Sequence, residues 1–183
     1  MGGVSSQGAA AAETLARLER LQRLCPPGWQ VAGGRFVPVD TPAAYRVRGQ
    51  QVTAGCRRHD CRRRVELDLA DLVRSEHREH PIRFVIEQLK CGHWRGCGLE
   101  LRPAIYPDGV PLISLVQHPN AIVEIGCCIC PHVSRLSPVQ VIEYLRRTKA
   151  GDGNTGVNVL ATVIRGRCPR CRGSQFWART SYG

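Results

Sequence analysis

Four cysteines in the last third of the chain constrain its fold more than any other feature. Cys127 and Cys130 are separated by two residues, and Cys168 and Cys171 repeat that spacing. A Cys-x2-Cys pair at a tight turn, a zinc knuckle, brings two thiolates to one point, and two knuckles supply the four ligands of a closed tetrahedral site. We therefore predict a structural zinc ion bound by these four residues.

The same pattern occurs upstream in a looser form. An apolar stretch that ends in Gly-Cys leads into both copies, at 52–56 and at 123–127. The upstream copy then carries two cysteine pairs on either side of a helix-like span: Cys56 with Cys61, and Cys91 with Cys97. Because each copy of such a repeat needs its own metal, we interpret the chain as two tandem units that bind two zinc ions.

The ligand set of the first unit has an alternative. His59 lies within the first cysteine pair of this unit, and His93 lies within the second. Neutral imidazole is a good zinc ligand, so either histidine can replace a cysteine. Analogy with the second unit favours the four cysteines, and the sequence leaves both sets open.

Composition explains why a chain of this kind would use metal. Aromatic residues make up 5% of 183 residues, so neither half can bury a large core. A structural zinc ion contributes about 10–16 kcal/mol of apparent binding free energy to folding. We see no signal peptide or long apolar run, and therefore expect an intracellular, cytoplasmic protein whose cysteines bind metal. A secreted protein held by disulfides is the alternative.

Periodicity and turn residues predict short helices and strands around the cysteine pairs. Residues 13–24 read as a helix, 29–31 and 35–39 as a β-hairpin, and 41–51 as a linker or an extended strand. The predicted division of the chain is 1–12 as a disordered tail, 13–51 as the N-terminal helix and hairpin, 52–120 as the first zinc-binding unit with a β segment, and 121–183 as the second zinc-binding unit.

Two helices are predicted between the cysteine pairs of each unit. Asp68 and Ser137 are N-cap residues, Pro81 suits the first position of a helix, and another helix starts near Thr155. Strands are predicted at 99–105, 112–116 and 121–125. The fold class is therefore α+β: a small zinc-stabilised tandem repeat, knuckle–helices–knuckle, with β-hairpins and an N-terminal helix.

The charge of the chain indicates an acidic partner. The formal net charge is +11, and two four-thiolate zinc sites would lower it to about +7. From Cys127 onwards the acidic residues are only Glu143 and Asp152, so the positive field belongs mainly to the second unit. Nearly all the basic residues are arginine, a bias that a GC-rich genome also produces.

Arginines near the knuckles are candidates for contacts with phosphate groups. The predicted nucleic-acid-binding residues are Arg146, Arg147, Arg165, Arg167, Arg170, Arg172, Arg62, Arg63 and Arg64. Phe176 and Trp177 follow the last knuckle, and exposed aromatic residues between arginines suit base stacking. An aromatic pair near the end of a small metal-binding unit is commonly part of the core, and we favour that interpretation here.

The cysteine pattern resembles that of zinc-ribbon and zinc-knuckle proteins. The resemblance covers about 52–177 as two units, and is carried by the four cysteines of the second unit and more loosely by those of the first. It implies a module that binds DNA, RNA, RNA polymerase or ribosomal partners, or one that serves as a structural staple. The helices between the knuckles and the wider spacing in the first unit depart from a plain ribbon.

Enzymatic interpretations lack the residues they need. His77-Arg78-Glu79 matches half of the zinc deaminase signature, but the cysteine pairs are preceded by Gly126 and Arg167, where that signature requires proline. There is no thioredoxin-like frame and no Gly-rich phosphate loop. We therefore expect no enzymatic activity, and expect the two remaining cysteines, Cys25 and Cys128, to be buried free thiols.

Two functions remain. The first is a nucleic-acid-binding or transcription-associated module that uses the arginines named above. The second is a structural or interaction protein, such as a subunit of an assembly or a virion, whose zinc ions only stabilise the fold. Neither function involves a membrane or a small-molecule substrate.

Overall fold

A computed structural model describes residues 6–58, 60–92 and 97–182 of the chain. Its N-terminal segment contains helix α1 (Ser6–Leu24) and a hairpin of strands β1 (Trp29–Ala32) and β2 (Arg35–Pro38). The hairpin agrees with the sequence prediction. Helix α1 begins at Ser6 and not at residue 13, because the alanine-rich stretch at 9–12, which we assigned to the tail, favours a helix strongly. Residues 1–5 of that tail lie outside the described residues.

The predicted linker or strand at 41–51 is wrong, because Pro42–Val47 forms helix α2. The side chain of Thr41 accepts a hydrogen bond from the N–H of Ala44, and Pro42 occupies the first turn. A hydroxyl N-cap followed by proline is a helix start signal. The sequence analysis missed it because the helix is only about two turns long.

The first four cysteines lie around a three-stranded antiparallel sheet in which β3 is the central strand. Its strands are β3 (Thr53–Cys56), β4 (Arg64–Glu66) and β5 (Leu99–Leu101). Between β4 and β5 the chain forms α3 (Leu69–Arg74), a 3-10 turn (Glu76–Glu79) and α4 (Ile82–Gln88). Asp68 caps α3 as predicted, since its carboxylate accepts hydrogen bonds from two N–H groups of the first turn.

The second four cysteines lie around a sheet of the same topology, with β6 in the centre. Its strands are β6 (Ala121–Cys127), β7 (Val133–Leu136) and β8 (Phe176–Tyr182). Between β7 and β8 lie α6 (Pro138–Arg147), a 3-10 turn (Val157–Val159) and α7 (Leu160–Val163). Ser137 forms the predicted capping box with Gln140. Both sheets therefore have one strand order and one set of directions, so the repeat inferred from the sequence is also present in the structure.

The segment between the two sheets differs from prediction. Residues 112–116 were expected to be a strand, but Leu112–Leu115 is helix α5 and its apolar side chains enter the core. A short apolar run fits a buried helix as well as a buried strand. The helix expected near Thr155 is confined to the 3-10 turn and α7. Strands β4, β7 and β8 were not predicted at all.

Two hydrophobic cores lie against the sheets in the described part of the chain. The core of the first unit contains Val52, Ala54, Leu67, Ile82, Ile86 and Leu99. The core of the second unit contains Val123, Val141, Ile142, Leu145 and Leu160, together with Leu24, Trp29 and Phe36 from the N-terminal segment. The N-terminal helix and hairpin therefore pack on the second unit, far along the chain. Among the described helices, none has the length and apolar character that a bilayer crossing requires.

Buried Arg48 connects the hairpin to the segment that follows α2. Its side chain is 4% exposed and donates hydrogen bonds to the carbonyls of Gly28 and Val39 and to the side chain of Gln50. The guanidinium carbon also lies 4.6 Å from the ring centroid of Tyr45. Carbonyl oxygens and an aromatic face thus stabilise a cation that burial would otherwise disfavour.

We expect Arg48→Met to lower the free energy of unfolding by about 2–4 kcal/mol, because the carbonyl of Val39 and the buried side chain of Gln50 would lose this donor and the carbonyl of Gly28 would keep only the N–H of Val39. Arg46→Met, on the exposed side of the same helix, is the matched control and should change it by no more than about 0.5 kcal/mol. Urea unfolding of the metal-loaded protein measures both effects. Equal effects of the two substitutions would contradict this role of Arg48.

Candidate metal centres

Each set of four cysteines converges on one point. The sets are Cys56, Cys61, Cys91 and Cys97 in the first unit, and Cys127, Cys130, Cys168 and Cys171 in the second. Within each set the four sulfur atoms lie within 4.8 Å of one another, and the closest pairs are separated by 3.1 and 3.8 Å in the first set and by 3.5 and 3.6 Å in the second.

These separations fit one tetrahedral ion. Sulfur ligands at about 2.3 Å from such an ion lie roughly 3.8 Å apart, whereas the sulfur atoms of a disulfide lie about 2.05 Å apart. None of the ten cysteines, all of which the structure describes, forms a disulfide. Each set can therefore hold a metal ion, and the structure brings together both groups of cysteines that the sequence singled out. His59 and His93 lie outside the described residues.

The backbone positions the first cysteine pair of each unit in the same way. In each unit the N–H of the first cysteine closes the knuckle: Cys56 donates to the carbonyl of Arg63, and Cys127 donates to that of His132. The next residue donates to the carbonyl just before the third strand, from Arg57 to Gly98 in the first unit and from Cys128 to Gln175 in the second. The longer loops of the first unit therefore leave the sheet ends that surround the cysteines unchanged.

The glycine before the first cysteine of each unit is required by a close approach. A Cβ atom at Gly126 would lie 2.1 Å from the indole of Trp177, and one at Gly55 would lie 2.3 Å from Nε of Arg102. In the second sheet this side chain belongs to the third strand, β8, and in the first sheet it belongs to the residue that directly follows β5. The shared Gly-Cys sequence thus has a common structural cause.

Backbone N–H groups favour the thiolate form of some of these cysteines. The N–H of Cys171, together with that of Arg170, lowers the pKa of the Cys168 thiol to about 6, against the effect of burial. The N–H of Ile129 lies 3.3 Å from Sγ of Cys127 and lowers the pKa of that thiol. Since metal ligation requires the thiolate, these turns prepare the site for a cation.

One thiol in each set, Cys97 and Cys171, is held in its neutral form by its neighbours. A hydrogen bond with Cys56, and then burial, raises the pKa of Cys97 to about 12. For Cys171 the N–H of Gly173 acts in the opposite direction, yet burial and the neighbouring thiols raise the pKa to about 12. Crowded like charges disfavour ionisation, so a cation is needed for all four thiols to become ligands.

The two cysteines outside the clusters differ from each other. Cys25 is half-buried, and burial raises the pKa of its thiol. Cys128 is exposed, so the expectation that it is buried is wrong. The hydrogen bond of its N–H to the third strand places it where the first unit has Arg57, and its side chain is directed away from the cluster that its neighbour Cys127 enters.

The arginines predicted near the first knuckle lie around one open depression. Arg62, Arg63 and Arg64 are exposed. They line a depression of about 560 Å³ together with two of the clustered cysteines, Cys56 and Cys61. Four further residues, not predicted from the sequence, complete the lining: the carboxylate Glu100 and the arginines Arg57, Arg58 and Arg102. The ligand cysteines of the first unit are thus surrounded by guanidinium groups.

The arginines predicted in the second unit are not equivalent. Arg165, Arg167, Arg170 and Arg172 are exposed along the segment that leads into the last knuckle and through it. Arg147 is exposed at the end of α6, with its guanidinium carbon 6.0 Å from the ring centroid of Tyr144. Arg146 is half-buried, because its guanidinium donates hydrogen bonds to the carbonyls of Arg23 and Leu24 at the end of α1. It therefore has a structural contact in addition to any role with a ligand.

The sequence analysis missed two arginines on the second sheet. Arg135 on β7 and Arg179 on β8 both bind the carboxylate of Glu124 on β6, at 3.0 and 2.7 Å. The hydrogen bond from Arg179, and then the charges and hydrogen bond of Arg135, lower the pKa of Glu124 against the effect of burial. Their period-two spacing from Val133 and Trp177 is a strand signal that could have revealed them.

Phe176 and Trp177 are half-buried and lie outside the hydrophobic core of the described residues. The expectation that they belong to the core is therefore wrong. They alternate along β8, so that Phe176 lies opposite Cys127 and Trp177 lies opposite Gly126. The chain is long enough after the knuckle to form a complete edge strand, and strand alternation puts Trp177 on the outer face of the sheet.

Comparison of the chain with known protein families, with curated proteins and with solved structures gives no match.

We expect the protein purified without added metal to contain about two metal ions per chain, one for each set of thiolates. Cys168→Ser should remove one of them and destabilise the second unit, because a structural zinc ion contributes about 10–16 kcal/mol of apparent binding free energy to folding. Cys128→Ser, next to a ligand but exposed, is the matched control and should retain both. Native mass spectrometry measures the content, and a Cys128→Ser protein that loses an ion would contradict the assigned ligand set.

Proposed function

We propose that the protein is a non-enzymatic zinc-binding module that binds nucleic acid, or a complex associated with nucleic acid, through its arginine-rich surface. The observation that carries this proposal is the pair of four-thiol sites, each at the end of an equivalent three-stranded sheet and each flanked by exposed arginines. The resemblance to zinc-ribbon proteins, which commonly bind nucleic acid or its machinery, agrees with it.

Zinc is the metal that this ligand chemistry favours. Thiolates select zinc, copper(I) or iron–sulfur clusters, whereas magnesium and calcium prefer oxygen ligands. The closest sulfur pairs of the first set, separated by 3.1 and 3.8 Å, fit a tetrahedron of ligands around a single ion. Zinc has no redox chemistry, and four protein ligands leave no open position for a substrate, so the ion would stabilise the fold.

The positive charge of the arginines near the two sites exceeds the negative charge that four thiolates and a zinc ion carry. Each four-thiolate zinc site carries a charge of about −2, and six arginines and one glutamate line the depression beside the first site. In the second unit the exposed Arg167, Arg170 and Arg172 lie within or beside the last knuckle. At the first site Arg57, Arg58 and Arg102 pair with Glu87, Asp60 and Glu100. The surplus positive charge that could contact phosphate groups therefore comes from Arg62, Arg63 and Arg64 and from the arginines of the last knuckle.

One observation favours a structural or interaction role as the second candidate. Helix α1 is exposed along residues 12–17, and Leu15 is 60% exposed there. Among the side chains of the helix that the structure describes, Leu21 and Leu24 of its last turns are the ones that pack against the core of the second unit. An exposed helix that presents leucine suits a protein partner, such as a subunit of an assembly.

We expect the metal-loaded protein to bind a short labelled oligonucleotide with an affinity that falls steeply between about 50 and 200 mM salt. Replacing Arg167, Arg170 and Arg172 with glutamine should reduce the slope of log K against log salt by about 2, at roughly 0.7 for each phosphate contact of a single strand. Fluorescence anisotropy measures both quantities.

The matched control replaces Arg17, Arg20 and Arg23 of α1 with glutamine. It removes the same charge from another exposed place, so it separates local contacts from the net charge of the protein. Both variants must retain the metal content of the wild type. If the metal-loaded wild type binds no oligonucleotide at low salt, the nucleic-acid function is wrong and the interaction role takes its place.

A further inference from the structure

Two rows of side chains cross the outer face of the second sheet, the face opposite its core. In the first row Gly126 lies between Val133 of β7 and Trp177 of β8. In the second row Glu124 lies between two arginines, Arg135 and Arg179. Strand geometry places the rows about 7 Å apart, a distance comparable to the spacing of successive nucleotides in an extended strand.

The first row holds an aromatic ring in a fixed and accessible place. Three atoms of the Trp177 indole lie within 2.1–2.5 Å of the position that a Cβ of Gly126 would occupy, so the ring lies across the backbone there. Trp177 is nevertheless only half-buried, and Val133 beside it is 41% exposed. An apolar surface with an aromatic ring is thus open to solvent next to the second cysteine cluster.

The second row holds two guanidinium groups in place. Arg135 and Arg179 each donate the Nε hydrogen to Glu124, whose side chain they cover so that the residue is 4% exposed. The arginine side chains are 73 and 67% exposed, and their Nη groups have no hydrogen-bond partner among the described residues. The guanidinium carbon of Arg179 lies 5.1 Å from the centroid of the Trp177 ring. Glu124 neutralises one of the two guanidinium charges, and the other positive charge remains next to the Trp177 ring.

The first sheet lacks this arrangement at the equivalent positions. Gly55 lies between Arg64 and Glu100, and Thr53 lies opposite Glu66 and next to Arg102. Positive and negative side chains are therefore equal in number on that face, and Arg102 pairs with Glu100 at 3.0 Å. The two sheets share a backbone but differ in the chemistry of their outer faces, so the ring and the surplus charge are specific to the second.

We propose that the outer face of the second sheet binds single-stranded nucleic acid by stacking unpaired bases on Trp177. The arginines Arg135 and Arg179 contact the phosphates of the same strand. The inference rests on the proposed function and specifies the surface and the form of the nucleic acid. An indole ring on a flat sheet stacks only on a base whose face is open, which a paired duplex does not offer, while arginine beside the ring adds both charge and a second stacking plane.

The first test compares two labelled single strands with equal numbers of phosphates, one carrying bases and the other made of abasic sites. We expect the metal-loaded wild type to bind the strand with bases more tightly by roughly 5- to 100-fold for one stacked base. Its salt dependence should be the same for both strands, because the phosphate contacts are the same. This comparison needs no variant, so it does not depend on whether a substituted protein folds.

The second test uses substitutions of Trp177 and of the arginines beside it. Trp177→Leu keeps an apolar cover over Gly126 and should abolish the preference for bases without changing the salt slope, whereas Trp177→Phe should keep part of the preference. The double replacement of Arg135 and Arg179 with glutamine should lower the salt slope. The same replacement of Arg74 and Arg78, two exposed arginines of the first unit that also pair with carboxylates, is the matched control and should leave both the salt slope and the preference for bases unchanged.

The outcomes separate this inference from the proposed function. Equal, salt-dependent binding of both strands by the wild type overturns the stacking site and leaves nucleic-acid binding intact. Binding of neither strand overturns both. A preference for bases that survives Trp177→Leu places the stacking elsewhere and contradicts the proposal. The chain has three tryptophans, so the emission of Trp177 is taken as the difference between the wild type and Trp177→Leu. If this emission responds to protein concentration and not to the strand, the face is an interface between copies, which also contradicts the proposal.

Discussion

The convergence of four thiols on one point, twice in the chain, is the constraint on which the rest of the structure depends. Each set closes a sheet at its end, yet the backbone N–H groups that favour a thiolate at Cys168 cannot make all four groups anionic. A cation bound at this point would let all four thiols ionise, and the binding free energy of such an ion, about 10–16 kcal/mol, is comparable to the net stability of a whole domain. With few aromatic residues available for packing, a bound metal ion would be a main source of stability at the sheet ends.

The two copies of the repeat differ in some features and share others, and the shared ones are those that surround the four cysteines. Both units keep the strand order, the knuckle hydrogen bonds and a glycine before the first cysteine, because these surround the metal-binding point. The residue that lies across that glycine is free to differ: it is Arg102 in one sheet and Trp177 in the other. The scaffold can therefore present different outer faces while its metal-binding end stays the same.

The N-terminal segment is held in place by packing against residues that lie far away in the sequence, in the second unit. Trp29 donates a hydrogen bond to Asn154 at 2.8 Å, and Arg146 holds the end of α1. Leu24 and Phe36 complete the core of the second unit. Arginine is thus used in this protein for structure as well as for surface charge, so the net charge by itself overstates the number of guanidinium groups open to a ligand.

The sequence by itself determined the two cysteine sets, the repeat and the helix starts at Asp68 and Ser137, because these features depend on local spacing and on side chains that bond to nearby backbone. Tertiary structure decided the helical state of 112–116, the strands β7 and β8 and the outer position of Trp177. A short apolar run is compatible with a helix or a strand until its neighbours are known, and an edge strand exists only through pairing with β6. The pairing of Glu124 with arginines on both sides likewise joins three separate stretches of chain, which no local pattern brings together.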